Sequence, residues 1–251
     1  FIGKLILVAL ALAGVGAAGK LVERHVRTSA AFATQELAVA GNERLTSDEV
    51  LRAAGLAVGK NVFEVPPEDA QARLVRHPWI AEAEVQRRLP GTFRVRVREH
   101  RPAALISLDR LYLVGEDATV FKAVEQADPV DLPVVTGIDV TRFTSDRTYR
   151  SSLLLEVVAV MHDYRAAGLY RREPIAEVHV GQDDSLSLYI GEDATEVRLG
   201  HGPFRAKLRK LRTVLDKLGE RDARPAYVYL DNVRRPDRVT VRLRGAGVVV
   251  E

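Results

Sequence analysis

The chain has 251 residues, 47% hydrophobic and 28% charged, with a formal net charge of +3 and no cysteine. At roughly 100–200 residues per domain, this length holds one large or two small domains with a buried core, and the composition excludes a multi-span membrane protein and a wholly disordered chain. The missing Cys excludes a disulfide framework, Cys-ligated zinc, a thiol nucleophile and an iron–sulfur cluster, and 37 basic residues (30 Arg, 7 Lys) against 34 acids leave too small an excess for a general nucleic-acid binder.

Leu5 to Gly19 is an uninterrupted run of 15 apolar or small residues, about 22 Å long as a helix. If Lys4 and Lys20 snorkel to the interfaces, the stretch reaches about 22 residues, enough for a span of roughly 30 Å. One transmembrane helix is therefore expected over 1–22. Two other readings stand beside it. The run also suits a signal-peptide core, with small residues at Val15-Gly16-Ala17. Gly14, Gly16 and Gly19 form a G-x-G-x-x-G, with Glu36 and Glu43 near the distance of a ribose-binding acid. The apolar run is about twice the five or six residues that a strand feeding such a turn needs. Lys20, Arg24 and Arg27 follow the run and only Lys4 precedes it, so the visible charge bias does not settle orientation.

Residues 23–34 read as a juxtamembrane linker, and 35–102 as a small domain. Leu37 to Val39 is a strand closed by Gly41-Asn42. Thr46 or Ser47 caps a helix with Asp48 and Glu49 in its first turn, Val50, Leu51 and Ala54 inward, and Gly55 as its stop. A second helix runs from Pro66 to about Arg76 with Ala70, Leu74 and Val75 inward, and His77-Pro78 ends it. Ile80 to Val85 and Phe93 to Arg98 are two strands around a turn at Leu89–Thr92; the second alternates strictly, Phe93, Val95 and Val97 inward and Arg94, Arg96 and Arg98 outward. The order is β-α-α-β-β.

Those residues carry a resemblance. Val39 to Asn42, Leu45 to Val50, Gly55-Leu56 and Gly59 to Phe63 resemble the opening of a POTRA (polypeptide-transport-associated) domain. Leu74, His77-Pro78-Trp79-Ile80, Ala83 to Val85, Arg88 to Thr92 and Val97 to Ala103 are similar to its version in the FtsQ/DivIB bacterial cell-division family. Read physically, Gly41, Gly55 and Gly59 take turn or cap conformations with positive φ. Trp79 anchors the helix–strand corner, and the Arg94/Arg96/Arg98 row is a solvated face near Glu82, Glu84 and Glu99. Gly55 to Asn61 lacks the Ser/Thr and the length of a phosphate loop.

Residues 103–244 read as a mostly antiparallel β domain with two helices, making the chain α+β. Ala103–Leu108 and Leu111–Val114 form a hairpin, Val120-Phe121 a strand, and Leu132–Gly137 an extended segment; 138–150 are polar and read as a loop. Leu153, Leu154, Val157, Val158 and Met161 recur at helical spacing from Ser151 to near Gly168. Strands follow at Ile175–Val180, Ser185–Ile190 and Glu196–Leu199. A helix then places Phe204, Leu208, Leu211, Leu215 and Leu218 inward and Arg205, Lys207, Arg209, Lys210 and Arg212 on a solvated face. Tyr227–Asp237 and Val239–Leu243 give two final strands around a turn, and 245–251 read as a tail. The hairpin, the Leu132-Pro133 segment and Val197-Arg198-Leu199-Gly200 before a basic helix also match the family.

The six histidines, His25, His77, His100, His162, His179 and His201, are scattered, and neither G-x-S-x-G nor S-x-x-K occurs in a nucleophile context. No catalytic, cofactor-binding or metal-binding residue is expected. The resemblance instead implies a non-enzymatic, single-pass inner-membrane scaffold of the divisome with periplasmic C-terminal domains. Implied partners are FtsB/FtsL-type bitopic proteins, the septal peptidoglycan synthesis machinery and the membrane, with no nucleic acid and no small-molecule substrate. The partner-binding residues it implies are Tyr229, Asp231, Asn232, Arg235, Val239, Val241 and Leu243, on a β edge with free backbone groups. The alternatives are a POTRA-bearing translocation or outer-membrane assembly factor and a dinucleotide-binding enzyme.

Overall fold

The structure, a computed structural model, describes residues 3, 12, 14, 17, 19–21, 24–232, 234–235, 237–245 and, as backbone, 248–250. It divides into two units, Phe1–His100 and Arg101–Glu251. Most of the span expected over 1–22 lies outside the described residues, among which no helix is long and apolar enough to cross a membrane. Gly14 and Gly19 are helical.

Within the stretch read as a linker, residues 24–34 are tied to the first unit. Residues 24–28 are helical and Ala30–Phe32 form a 3-10 turn. The Phe32 ring meets Phe63 edge-on at 5.4 Å, the Asn61 amide donates to the Val26 carbonyl, and Thr34 is buried with its N–H on Lys60 O. An aromatic ring and a buried backbone group, overlooked among polar neighbours, anchor this segment.

Strand β1 (Glu36–Ala40), helices α1 (Ser47–Ala54) and α2 (Pro67–Val75), and strands β2 (Ile80–Arg88) and β3 (Thr92–Glu99) follow in order. The sheet order is β1-β3-β2, with β1 parallel and β2 antiparallel to β3. Thr46 caps α1 reciprocally: its hydroxyl accepts from the Glu49 N–H at 3.3 Å, and the Glu49 carboxylate accepts from the Thr46 N–H at 2.8 Å. Gly55 ends α1 at φ +74. Val50, Ala54, Ala70 and Leu74 are fully buried against Phe93, Val95 and Val97. Val75, expected inward, is 51% exposed, because one residue past Leu74 the helix has turned about 100° away from the core. Between β1 and α1, the buried Glu99 carboxylate accepts the N–H groups of Glu43, Arg44 and Leu45 at 3.1, 2.8 and 3.0 Å. Gly41 (φ +84) lies so close to the Val97 carbonyl that no Cβ fits. Trp79 is buried at the corner under the Arg44 guanidinium at 4.0 Å, and outside, Arg96 and Arg98 pair with Glu84 and Glu82.

The second unit is a ten-stranded sheet with helices. Its elements are β4 (Pro102–Ser107), β5 (Leu111–Gly115), β6 (Val120–Ala123), β7 (Val134–Thr136), α3 (Val140–Ser145), α4 (Arg147–Ala166), β8 (Ile175–Val180), β9 (Leu186–Ile190), β10 (Thr195–Gly200), α5 (Phe204–Gly219), β11 (Pro225–Tyr229), β12 (Thr240–Leu243) and β13 (Val248–Val250). The strand order is β13-β12-β11-β10-β9-β8-β7-β4-β5-β6. Six ladders are antiparallel, and three (β4 with β7, β7 with β8, β10 with β11) are parallel. Leu153, Leu154, Val157 and Met161 of α4 and Phe204, Leu208, Leu211 and Leu215 of α5 are buried with Val178, Leu188, Val197 and Val228 of the strands.

Three helices stand where two were expected. Asp139 and Asp146, read as loop residues in 138–150, are N-caps: their carboxylates accept the N–H groups of Arg142 and Tyr149, each at 3.0 Å, and Phe143 and Tyr149 are buried beneath. Lys207, assigned to the solvated face of α5, turns back and donates to the Leu199 and His201 carbonyls, each at 2.6 Å. The Tyr164 hydroxyl donates to Glu173 O at 2.6 Å, and burial pushes its pKa well above the ordinary phenol value.

Replacing Thr46 with Ala removes the cap and is expected to lower stability by about 1 kcal/mol. Tyr164→Phe leaves the Glu173 carbonyl without its donor and is expected to cost about 1–2 kcal/mol. Urea unfolding of each variant against the parent chain measures both.

Candidate protein-docking edge

The end of the sheet is assembled by a crossover. β10 stops at Gly200 (φ +66), where an added Cβ would press on Asp231, and α5 carries the chain over one face. β11 then returns parallel to β10, pairing Glu196 with Tyr227, Val197 with Val228 and Arg198 with Tyr229, and the Leu230 N–H continues the ladder to Arg198 O at 2.8 Å. β12 folds back antiparallel, with Val228 opposite Val241 and Tyr229 opposite Thr240.

Alternation along these strands divides the seven sequence-chosen residues among three places. Val239 and Val241 are buried and Leu243 half-buried, all against the core beneath α5. With Val214, Lys217, Leu218, Arg221 and Ala223 they line a cleft of about 70 Å³. Tyr229 lies on the opposite face. Its ring stacks on Tyr227 at 4.3 Å, the Arg198 guanidinium sits 4.2 Å from its centroid, and its hydroxyl approaches Glu196 at 3.5 Å. Burial first, and the nearby Glu196 carboxylate second, raise the pKa of that hydroxyl. Asp231, Asn232 and Arg235 belong to the connection: Asp231 is half-buried beside Gly200, whereas Asn232 and Arg235 are exposed, the Asn232 side-chain Oδ1 accepting the Arg235 backbone N–H at 3.0 Å. Tyr227, Glu196 and Arg198 share the Tyr229 face and were missed; the alternation of Glu196, Val197, Arg198 and Leu199 was the signal for two of them.

Val239–Leu243 is not the outer edge in this structure. β13 lies outside β12, pairing Thr240 with Val250, Val241 with Val249 and Arg242 with Val248. Residues 245–251, read as a tail, thus contain a strand. The signal was a run of three β-branched residues, Val248 to Val250, shortly after Gly245. Among the described residues, no group of three or more His, Asp or Glu side chains is placed to hold a metal ion.

Comparison with known proteins matches residues 32–100 to the POTRA domain, FtsQ-type, and residues 104–231 to the cell division protein FtsQ/DivIB, C-terminal. The chain belongs to the FtsQ/DivIB family. A curated FtsQ cell division protein of Anaeromyxobacter sp. (strain K) is 37% identical over 236 residues, covering 94% of this chain and 80% of that protein. One from Myxococcus fulvus is 32% identical over 225 residues, covering 90% and 78%. One from Corynebacterium glutamicum is 27% identical over 206 residues, covering 81% and 84%. Within the FtsQ/DivIB C-terminal match lie Tyr229 and Asp231; Asn232, Arg235, Val239, Val241 and Leu243 fall beyond it.

Core and connection should separate on mutation. Val241→Ala opens a cavity under α5 and is expected to cost about 2 kcal/mol, whereas Asn232→Ala, at an exposed turn, is expected to stay within about 0.5 kcal/mol. Denaturant midpoints of the two variants give the comparison.

Proposed function

We propose that this protein is a non-enzymatic scaffold of the bacterial divisome. It is held in the inner membrane by a single helix within residues 1–22, with both described units on the periplasmic side. The first unit and the terminal strands of the second dock other division proteins, among them FtsB/FtsL-type bitopic proteins and the septal peptidoglycan synthesis machinery. Membership of a cell-division family carries this reading. It is supported by the terminal strands of the ten-stranded sheet, whose backbone N–H and C=O groups can pair with an extended partner segment. Confinement to a surface raises the effective concentration of partners confined there too, so modest edge-to-strand contacts suffice for assembly.

Depletion is expected to give filamentous cells, and the protein is expected to stay in the membrane pellet after an alkaline wash and to co-purify from membranes with other division proteins, identified by mass spectrometry. Loss of outer-membrane proteins without filamentation would favour the assembly-factor alternative, and recovery as a soluble nicotinamide-binding protein would refute the scaffold.

A further inference from the structure

The strand that the sequence marks as a docking edge is already paired within this chain. β12 has four residues, Thr240–Leu243, and β13 pairs with three of them; only four residues separate the two strands. Arg244 and Gly245, the latter at φ +77, turn the chain out of β12. We propose that β13 is a removable cover: the chain's own Val248–Val250 occupies the backbone edge of β12 and competes there with any incoming partner strand. The proposal deepens the docking reading above and rests on it.

Topology supports both halves of the idea. β12 is fixed from within, because Val239 and Val241 are buried in the core and Tyr227, Val228 and Tyr229 hold it from β11. β13 is the terminal strand of the sheet, and its described ties are three register pairs to β12. An edge strand held by so few pairs sits at the low-stability end of a structure, so the cover opens without disturbing the strands beneath. It also re-closes readily, since a short connection keeps it at an effective concentration in the millimolar range. The competitor that fits is an extended segment that pairs with all four residues of β12 and so gains one register pair over the cover. Arg242 is exposed on β12, and its register partner is Val248. Because the chain has no cysteine, an Arg242→Cys/Val248→Cys pair introduces a single possible disulfide, between residues at cross-strand spacing.

Two measurements on the full chain test this. In the first, amide exchange at residues 240–242 is compared among the parent chain, a chain lacking 245–251, and the oxidised double-cysteine variant. The parent is expected to exchange about tenfold more slowly than the deletion and about tenfold faster than the locked form, the ordinary behaviour of a locally opening element. A parent indistinguishable from the deletion shows that β13 covers nothing, and one indistinguishable from the locked form shows a permanent strand; either overturns the proposal. Should the deletion fail to fold, Val249→Pro, which removes an N–H from the segment, replaces it.

In the second measurement, the same proteins are purified from membranes and the co-purifying division proteins are quantified. The oxidised lock is expected to reduce recovery at least tenfold and reductant to restore it, while the deletion raises recovery above the parent. Equal recovery from all forms overturns the competitive role of β13. Recovery of no division protein from any form, with the exchange pattern as expected, counts against the docking reading and not against the cover.

Discussion

Three parallel register pairs, Glu196 with Tyr227, Val197 with Val228 and Arg198 with Tyr229, attach everything after α5 to the rest of the sheet. A parallel ladder cannot be made by a tight turn; it requires a crossover, here the sixteen-residue α5. The helix does more than span the distance. Its inward residues Phe204, Leu208, Leu211 and Leu215 share a core with Val228, Leu230, Val239 and Val241, so the apolar layer beneath α5 fixes the height and register of the last strands. Lys207 fastens the start of the helix to the carbonyls at the end of β10. β11 and β12 are thus positioned by burial on one face, while on the other Tyr227, Tyr229, Arg198 and Glu196 contact one another.

The same economy recurs in the first unit. The Glu99 carboxylate satisfies three consecutive backbone N–H groups between β1 and α1, where a loop would otherwise bury donors without acceptors. One cleft of the second unit gathers Glu173, Glu192, Asp193 and Asp222 with Arg171, Arg172 and Arg224, where Arg224 pairs with Asp193 and Arg172 with Asp216; elsewhere the polar side chains mostly serve backbone groups or one another.

Much of this was legible in the sequence, and the exceptions have physical causes. The alternation of Phe93, Val95 and Val97 and the helical spacing of Leu153, Leu154, Val157 and Met161 read correctly, because burial imposes period on composition. Asp139 and Asp146 read as loop residues, because Asp favours turns and helix N-caps for the same reason, a carboxylate accepting a nearby N–H. Only the burial of Phe143 and Tyr149 separates the two cases. Lys207 has the spacing of a solvated residue, and its inward turn depends on where β10 ends. The residues that the resemblance implies for partner binding are neighbours in sequence but not in space, because alternation sends Tyr229 to one face and Val239 and Val241 to the other. β13 escaped because pairing between strands is non-local, and three valines near a chain end resemble a tail.

The preponderance of arginine, at first a matter of composition, acquires a structural meaning from the aromatic contacts. Guanidinium groups lie over Trp79, Phe63, Tyr149 and Tyr229 at 4.0, 4.6, 3.8 and 4.2 Å, flat groups covering flat rings in a way that an ammonium does not reproduce. A guanidinium also keeps its proton throughout the physiological range. These lids therefore hold the same charge throughout that range.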